Sequence, residues 1–220
     1  MTPESIQKTL EQNQTLTNLD NSQSINQEIE QAVEKNKEFL NKYPNRFNKI
    51  LFVVTDVSAS YGKALNPHLG IAMLMAYLDK YGFETQVIDM QLGYNVDDIA
   101  KKAKEFQADL IGITMFSFDF INTYAKISKI KELTNIPIIL GGAHISTVKQ
   151  EALEQTTADF GIVRDGEIPL LHLCAGIPLN EIKSLIYKNP KNKKITINEK
   201  MPLNWELDEL PFPAYEKLEL

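Results

Sequence analysis

From Lys49 onward the chain alternates short apolar runs with segments of helical period, and this alternation constrains its fold more than any other feature. Ile50-Leu-Phe-Val-Val-Thr55 is a continuous run of β-branched and aromatic residues, the mark of a strand covered on both faces. Thr85–Asp89, Leu110–Met115, Ile136–Leu140 and Phe160–Val163 read as four further strands. Between them, Leu69–Tyr81 places Ile71, Leu74, Met75 and Leu78 at core spacing, with Gly82 as its stop. Val96–Phe106, a segment from about Asp119 to Leu133, Thr147–Gln155 and Leu170–Leu173 complete the helices. Strands regularly separated by helices predict an α/β fold: a doubly wound, five-stranded parallel sheet, Rossmann-like or flavodoxin-like, with right-handed crossovers. In such sheets a ligand lies beyond the carboxyl ends of the strands, where strand order reverses. The loops Asp56–Leu69, Thr114–Asp119, Gly141–Ser146 and Arg164–Glu167 are therefore the ones expected to meet it.

The flanks differ in character. Residues 1–47 are rich in Gln, Asn, Glu and Lys and form a polar helical or partly disordered lead, in which Ile25, Ile29, Ala32, Val33, Phe39 and Leu40 allow a helix over about 24–42. The α/β domain is expected over 48–178. In 179–220, Ser184–Tyr187 and Lys194–Ile197 flank the turn-rich Asn189-Pro-Lys-Asn192 and predict a β-hairpin too small to fold alone. Trp205 to Tyr215, with two prolines and three aromatics, reads as a connector that docks on another surface.

Composition excludes several classes. The 220 residues carry 23 basic and 29 acidic side chains, a formal charge of −6, which leaves no basic footprint for nucleic acid. No apolar run reaches the roughly 18–20 residues of a bilayer span and the N-terminus lacks a signal-peptide core, so a cytoplasmic location away from membranes is expected. The single cysteine, Cys174, follows Leu170, Leu171 and Leu173 and reads as a small buried hydrophobe, unable on its own to supply a thiolate-rich metal or cluster site.

The loops also exclude chemistry. No Gly-x-Gly-x-x-Gly follows the first strand and no Gly-x-x-x-x-Gly-Lys-Ser/Thr occurs, against dinucleotide binding and P-loop hydrolysis. Strand three ends in Thr114-Met-Phe-Ser117, without the carboxylate of a phosphoacceptor site, and Ser58, Ser60 and Gly62 match a flavin phosphate loop only loosely. Gly141-Gly142, ending the run Asn135–Leu140, instead delivers bare backbone to a bulky ligand.

An ordered series of short elements spans residues 49–216: Pro67-His-Leu-Gly-Ile-Ala72 with Leu78-Asp-Lys-Tyr-Gly82, Ala108-Asp-Leu-Ile-Gly-Ile113, Gly141-Gly-Ala-His144, Ala158-Asp-Phe160, Arg164-Asp-Gly-Glu167 and Leu210-Pro-Phe-Pro213. The series resembles the N-terminal cobalamin-binding domain of B12-dependent radical SAM enzymes. That resemblance implies cobalamin as cofactor and a radical SAM domain, in cis or in trans, as partner. It also implies S-adenosylmethionine and a [4Fe-4S] cluster in that partner, and methyl transfer or another radical reaction by the whole enzyme. The Cys-x-x-x-Cys-x-x-Cys motif of such a domain is absent, so this chain is expected to bind the cofactor without turnover. Two other readings remain open: a regulatory module of the same fold that has lost the cofactor, and a flavin or nucleotide binder.

The resemblance implies cofactor contacts from Ser58, Tyr61 and Leu65 in the first loop, Gly112, Thr114, Phe116 and Ser117 around the third strand, Gly141, Gly142 and His144, and Arg164, Gly166 and Glu167. Glycines would let a nucleotide tail lie on the backbone, and Thr114 and Ser117 would donate to its phosphate or ribose. Phe116, Phe118 and Phe120 either wall the base or pack, and His144 either touches the ligand or makes a structural hydrogen bond. Arg164–Glu167 borders the cofactor or is a simple turn with Glu167 in a helix's first turn. No metal ligand is expected, because Asp56-Val-Ser58 has serine where histidine-ligating domains carry Asp-x-His; His68 reads as a packing or capping residue.

Overall fold

The computed structural model describes residues 42–56, 67–202 and 210–219. The expected helix over 24–42 and the loop residues Ser58, Tyr61 and Leu65 fall outside these residues. The compact unit to which nearly all described residues belong is Tyr43–Leu220.

In chain order its elements are β1 (Lys49–Val54), α1 (Leu69–Lys80), β2 (Glu84–Asp89), α2 (Val96–Phe106), β3 (Leu110–Thr114), α3 (Phe120–Thr134), β4 (Ile138–Gly141), α4 (Ala143–Val148), α5 (Gln150–Glu154), β5 (Phe160–Ile162), α6 (Glu167–Cys174), β6 (Leu185–Lys188) and β7 (Ile195–Ile197). The sheet runs β2-β1-β3-β4-β5-β6-β7. Its first five strands are parallel, in the flavodoxin-like order whose reversal falls between β1 and β3.

Two expectations need correction. The sheet has seven strands and not five, because the C-terminal hairpin is part of it: β6 pairs antiparallel with β5 and β7 with β6. A short exposed β5 edge would leave its backbone groups unpaired, and the hairpin supplies the missing ladder. The fourth helix is two short helices, since Lys149 takes φ 50° and ψ −110° and breaks the hydrogen-bond run between α4 and α5.

The faces of the sheet are finished differently. On one, Leu51, Val53, Ile111, Ile113, Ile138 and Leu140 pack against Ile99 and Ala103 of α2, Ile127 and Ile130 of α3, and Leu153 of α5. Each large side chain so buried stabilises the fold by about 1.5–3 kcal/mol. The alternate residues Phe52, Gly112 and Ile139 face the other way, toward α1 and α6, which pack on one another. At the amino ends of the strands, Asp109 accepts from the N–H groups of Asn48 and Lys49 at 2.7 and 3.0 Å, and Asp159 accepts from Ile138 N–H at 2.9 Å and from Lys131 at 2.8 Å. The connector docks on α1: Ala214 N–H donates to Ala72 O, and Lys217 pairs with Asp79.

Candidate cofactor cavity

Between α1, α6 and the sheet lies a cavity of about 250 Å³. Its floor is one register row, Phe52, Gly112 and Ile139 of neighbouring strands. Ile71 and Leu74 of α1 and Leu170 of α6 are its apolar walls. The space exists because the middle floor residue has no side chain: a Cβ on Gly112 would come within 3.0 Å of the Phe52 ring and 3.7 Å of Ile139.

Glycines at the rim have separate roles. A Cβ on Gly141 would meet nothing within 4 Å, so that residue opens onto the cavity. Gly142 has φ +98°, and a Cβ there would stand 2.7 Å from the carbonyl oxygen of Met115; the turn into α4 requires it. Gly166, at the entry to α6, leaves room for Leu74, which a Cβ would approach to 3.2 Å.

Three polar groups converge on this space. His68 caps α1 through Nδ1, which accepts from Ile71 N–H at 3.3 Å, and its Nε2 stands 3.5 Å from Thr114 Oγ1. An accepting Nδ1 puts the ring proton on Nε2, directed at Thr114, and burial lowers the His68 pKa so that the ring stays neutral. Glu167 occupies the first turn of α6, and its Oε2 is buried without a hydrogen-bond partner. Burial raises the Glu167 pKa, and the neighbouring Asp165 adds to the effect.

Of the residues singled out in the sequence, Gly112, Thr114, Gly141, Gly142, Arg164, Gly166 and Glu167 line this one cavity. Phe116, Ser117 and His144 do not line it. Phe116 is exposed, its ring 6.1 Å from that of His68. His144 is buried: its Nε2 is 2.8 Å from Tyr124 Oη, its Nδ1 is 3.3 Å from Ser117 Oγ, and its ring stacks on Phe120 at 5.0 Å. Sequence reasoning assigned His68 to the helix start, where it is, but missed that the same ring faces the cavity. It also missed Phe52, Ile71, Leu74, Ile162 and Leu170, whose apolar character signals core equally well.

All three histidines of the chain are committed, since His172 on α6 is engaged as well. Among the described residues no group of His, Cys, Asp and Glu side chains is disposed to hold a metal ion, and no helix is long and apolar enough to cross a membrane. Cys174 is fully buried, its thiol pKa raised by burial.

A parallel sheet of this strand order, with a glycine-floored slot at the carboxyl ends of its strands, defines a cofactor-binding α/β domain. The family model of the B12 binding domain matches residues 57–173, more than half of the chain, and the chain belongs to that family. It is 30% identical over 182 residues to an uncharacterised methyltransferase of Pyrococcus horikoshii, a match covering 77% of this chain and 39% of the relative. Cytidylyl-2-hydroxyethylphosphonate methyltransferase of Streptomyces wedmorensis is 24% identical over 191 residues, 67% of this chain and 36% of the relative. The chain thus spans well under half the length of these curated relatives. Among solved structures, the fold is shared with the cobalamin-dependent S-adenosylmethionine radical enzyme OxsB with aqua-cobalamin bound, at TM-score 0.65 and 20% identity over 78% of this chain and 24% of that one. It is shared also with the radical S-adenosylmethionine methyltransferase TsrM of Kitasatospora setae with cobalamin and a [4Fe-4S] cluster bound, at TM-score 0.56 and 19% identity over 76% of this chain and 32% of that one.

Proposed function

We propose that this domain holds cobalamin by taking the cofactor's nucleotide tail into the cavity between α1, α6 and the sheet, with the corrin plate at the rim. The observation that carries this reading is the open row over Gly112 and Gly141, a cradle that side chains would fill. The residues fit the group. Apolar walls suit an aromatic base, and the Thr114 hydroxyl suits a ribose or phosphate oxygen. A corrin is far too wide for about 250 Å³, so only the tail enters. His68 caps α1 and His144 is held by Tyr124, and the chain's part is to grip the tail and exclude water from it.

The methyltransferase names of the longer relatives extend the proposal: the domain serves a B12-dependent radical SAM methyltransferase. Bound cobalamin supplies a cobalt centre able to carry a methyl group. S-adenosylmethionine and a [4Fe-4S] cluster belong to a radical SAM domain acting in cis or in trans, since the one cysteine here is buried. A cytoplasmic setting suits such chemistry.

Titration of the purified chain with hydroxocobalamin, followed by visible spectra and calorimetry, tests the site. The expected result is micromolar or tighter binding that Gly141→Val weakens at least tenfold while its unfolding midpoint stays near that of the parent. A parent chain that binds nothing, or a variant that binds equally well, overturns the assignment.

A further inference from the structure

Helix starts are capped best by a short side chain bearing an oxygen, yet α1 is capped by a histidine. What the histidine adds is a second ring nitrogen. Nδ1 accepts from Ile71 N–H at 3.3 Å, while Nε2 reaches to 3.5 Å from Thr114 Oγ1 on β3, and both residues line the cavity. The tautomer follows from the neighbours. A proton on Nδ1 would confront the Ile71 N–H, and the His68 carbonyl that could otherwise receive it already accepts from the N–H groups of Ile71 and Ala72 at 3.0 and 3.1 Å. Nδ1 is therefore the acceptor and Nε2–H the donor.

Resting on the cobalamin reading, we infer that His68 is a positioning residue for the tail: by donating Nε2–H to Thr114 Oγ1 it fills one lone pair of that hydroxyl and leaves the hydroxyl proton for an acceptor atom of the bound nucleotide. No covalent bond changes. A lone threonine hydroxyl donates or accepts, and its proton rotates to suit. Here the oxygen is already placed, because a β-branched side chain is stiff at χ1 and Thr114 is buried, its Oγ1 standing 3.1 Å from where a Cβ on Gly142 would lie. His68 then keeps the proton off its own side of the oxygen, and among the described residues no other group pairs with Oγ1. The run Ile71 N–H to His68 to Thr114 is a series of hydrogen bonds, and each bond in such a series strengthens the next donor. A donor oriented before the ligand arrives costs less to order on binding.

The test is a double-variant cycle. Hydroxocobalamin is titrated by visible spectra into the parent chain, His68→Asn, Thr114→Val and the pair combined, with thermal unfolding as the control for folding. Asparagine keeps an acceptor for Ile71 N–H and caps well, but presents no group at the position of Nε2. The 3.5 Å contact is long, so His68→Asn is expected to weaken binding only about threefold, against about tenfold for Thr114→Val. The combined variant should bind within about twofold of Thr114→Val, since nothing is left for His68 to position. Long-range proton–nitrogen correlation spectra of the nitrogen-15-labelled parent should show His68 protonated at Nε2. That Nε2 signal should move in Thr114→Val while the Nδ1 signal holds, a change that a histidine acting only as a cap would not give.

Losses that add across the cycle, about thirtyfold in the combined variant, would overturn the inference. So would His68→Asn binding like the parent, or a ring protonated at Nδ1, which the spectra decide without the asparagine variant. A parent chain that binds no hydroxocobalamin overturns the cobalamin reading and the inference with it, a failure told apart by the parent titration alone.

Discussion

Gly141 and Gly142 stand side by side in the chain and do unrelated work. Gly141 ends β4 over open space, whereas Gly142 turns the backbone at φ +98° beneath the Met115 carbonyl. Gly142→Ala should therefore cost about 2–3 kcal/mol in urea unfolding, while Gly141→Ala should fall within about 0.5 kcal/mol of the parent. The sequence shows that bare backbone is wanted at this pair; which glycine serves the ligand and which serves the turn depends on φ and on Met115, and neither can be read from the pair itself. His144 makes the same point, because a histidine after two glycines reads equally as contact or as packing, and only Tyr124 and Ser117 at its two nitrogens decide. Titration adds a second expectation. His68, His144 and His172 have folded pKa values lowered by burial, so the stability they support is intact above the unfolded histidine value of 6.5 and is lost as pH falls through the folded values. Glu167 has the opposite sign: its folded pKa is raised from 4.5, and its contribution is present below that value and lost as pH rises through the folded one. Glu167→Gln should accordingly raise the unfolding midpoint of the ligand-free chain at pH 8 and change it little at pH 4, as calorimetric scans would show.

At the scale of elements, boundaries set by local signals were legible and those set by tertiary pairing were not. Helix α2 begins where Asn95 accepts from Asp97 and Asp98 N–H while Asp98 returns a bond to Asn95 N–H, a capping box written in four consecutive residues. By contrast, nothing in Thr147–Gln155 announces the break at Lys149, a lysine in a backbone region that glycine favours. Lys149→Gly should for that reason stabilise the chain by about 0.5–1 kcal/mol in denaturant unfolding, against the usual trend for glycine near helices. The hairpin was visible as a hairpin, but its pairing with β5 is a long-range contact with no local trace. Two elements that carry the family resemblance, Ala108-Asp109 and Ala158-Asp159, tie down strand starts and not the ligand: their carboxylates accept from main-chain N–H groups at the amino ends of the strands. A recurrent motif can therefore report the frame as readily as the site.

At the scale of the whole molecule, the single thiol decides what the chain can carry. After anaerobic reconstitution with iron and sulfide, the purified chain should contain no stoichiometric cluster, because its single thiol, on Cys174, lies in the core; iron analysis decides this. Residues 210–219 return along α1, where Lys217 pairs with Asp79 on the helix that walls the cavity, and Glu219 bridges Tyr94 and Lys102. The two faces of the sheet carry a further consequence. One face is packed throughout, and the other keeps a vacancy of about 250 Å³ toward the carboxyl ends of the strands, between helices that would otherwise close on a full floor of side chains. A guest that fills that vacancy becomes part of the interior, and expelling it would cost the protein packing as well as a ligand, so occupancy and durability of the fold are expected to rise and fall together.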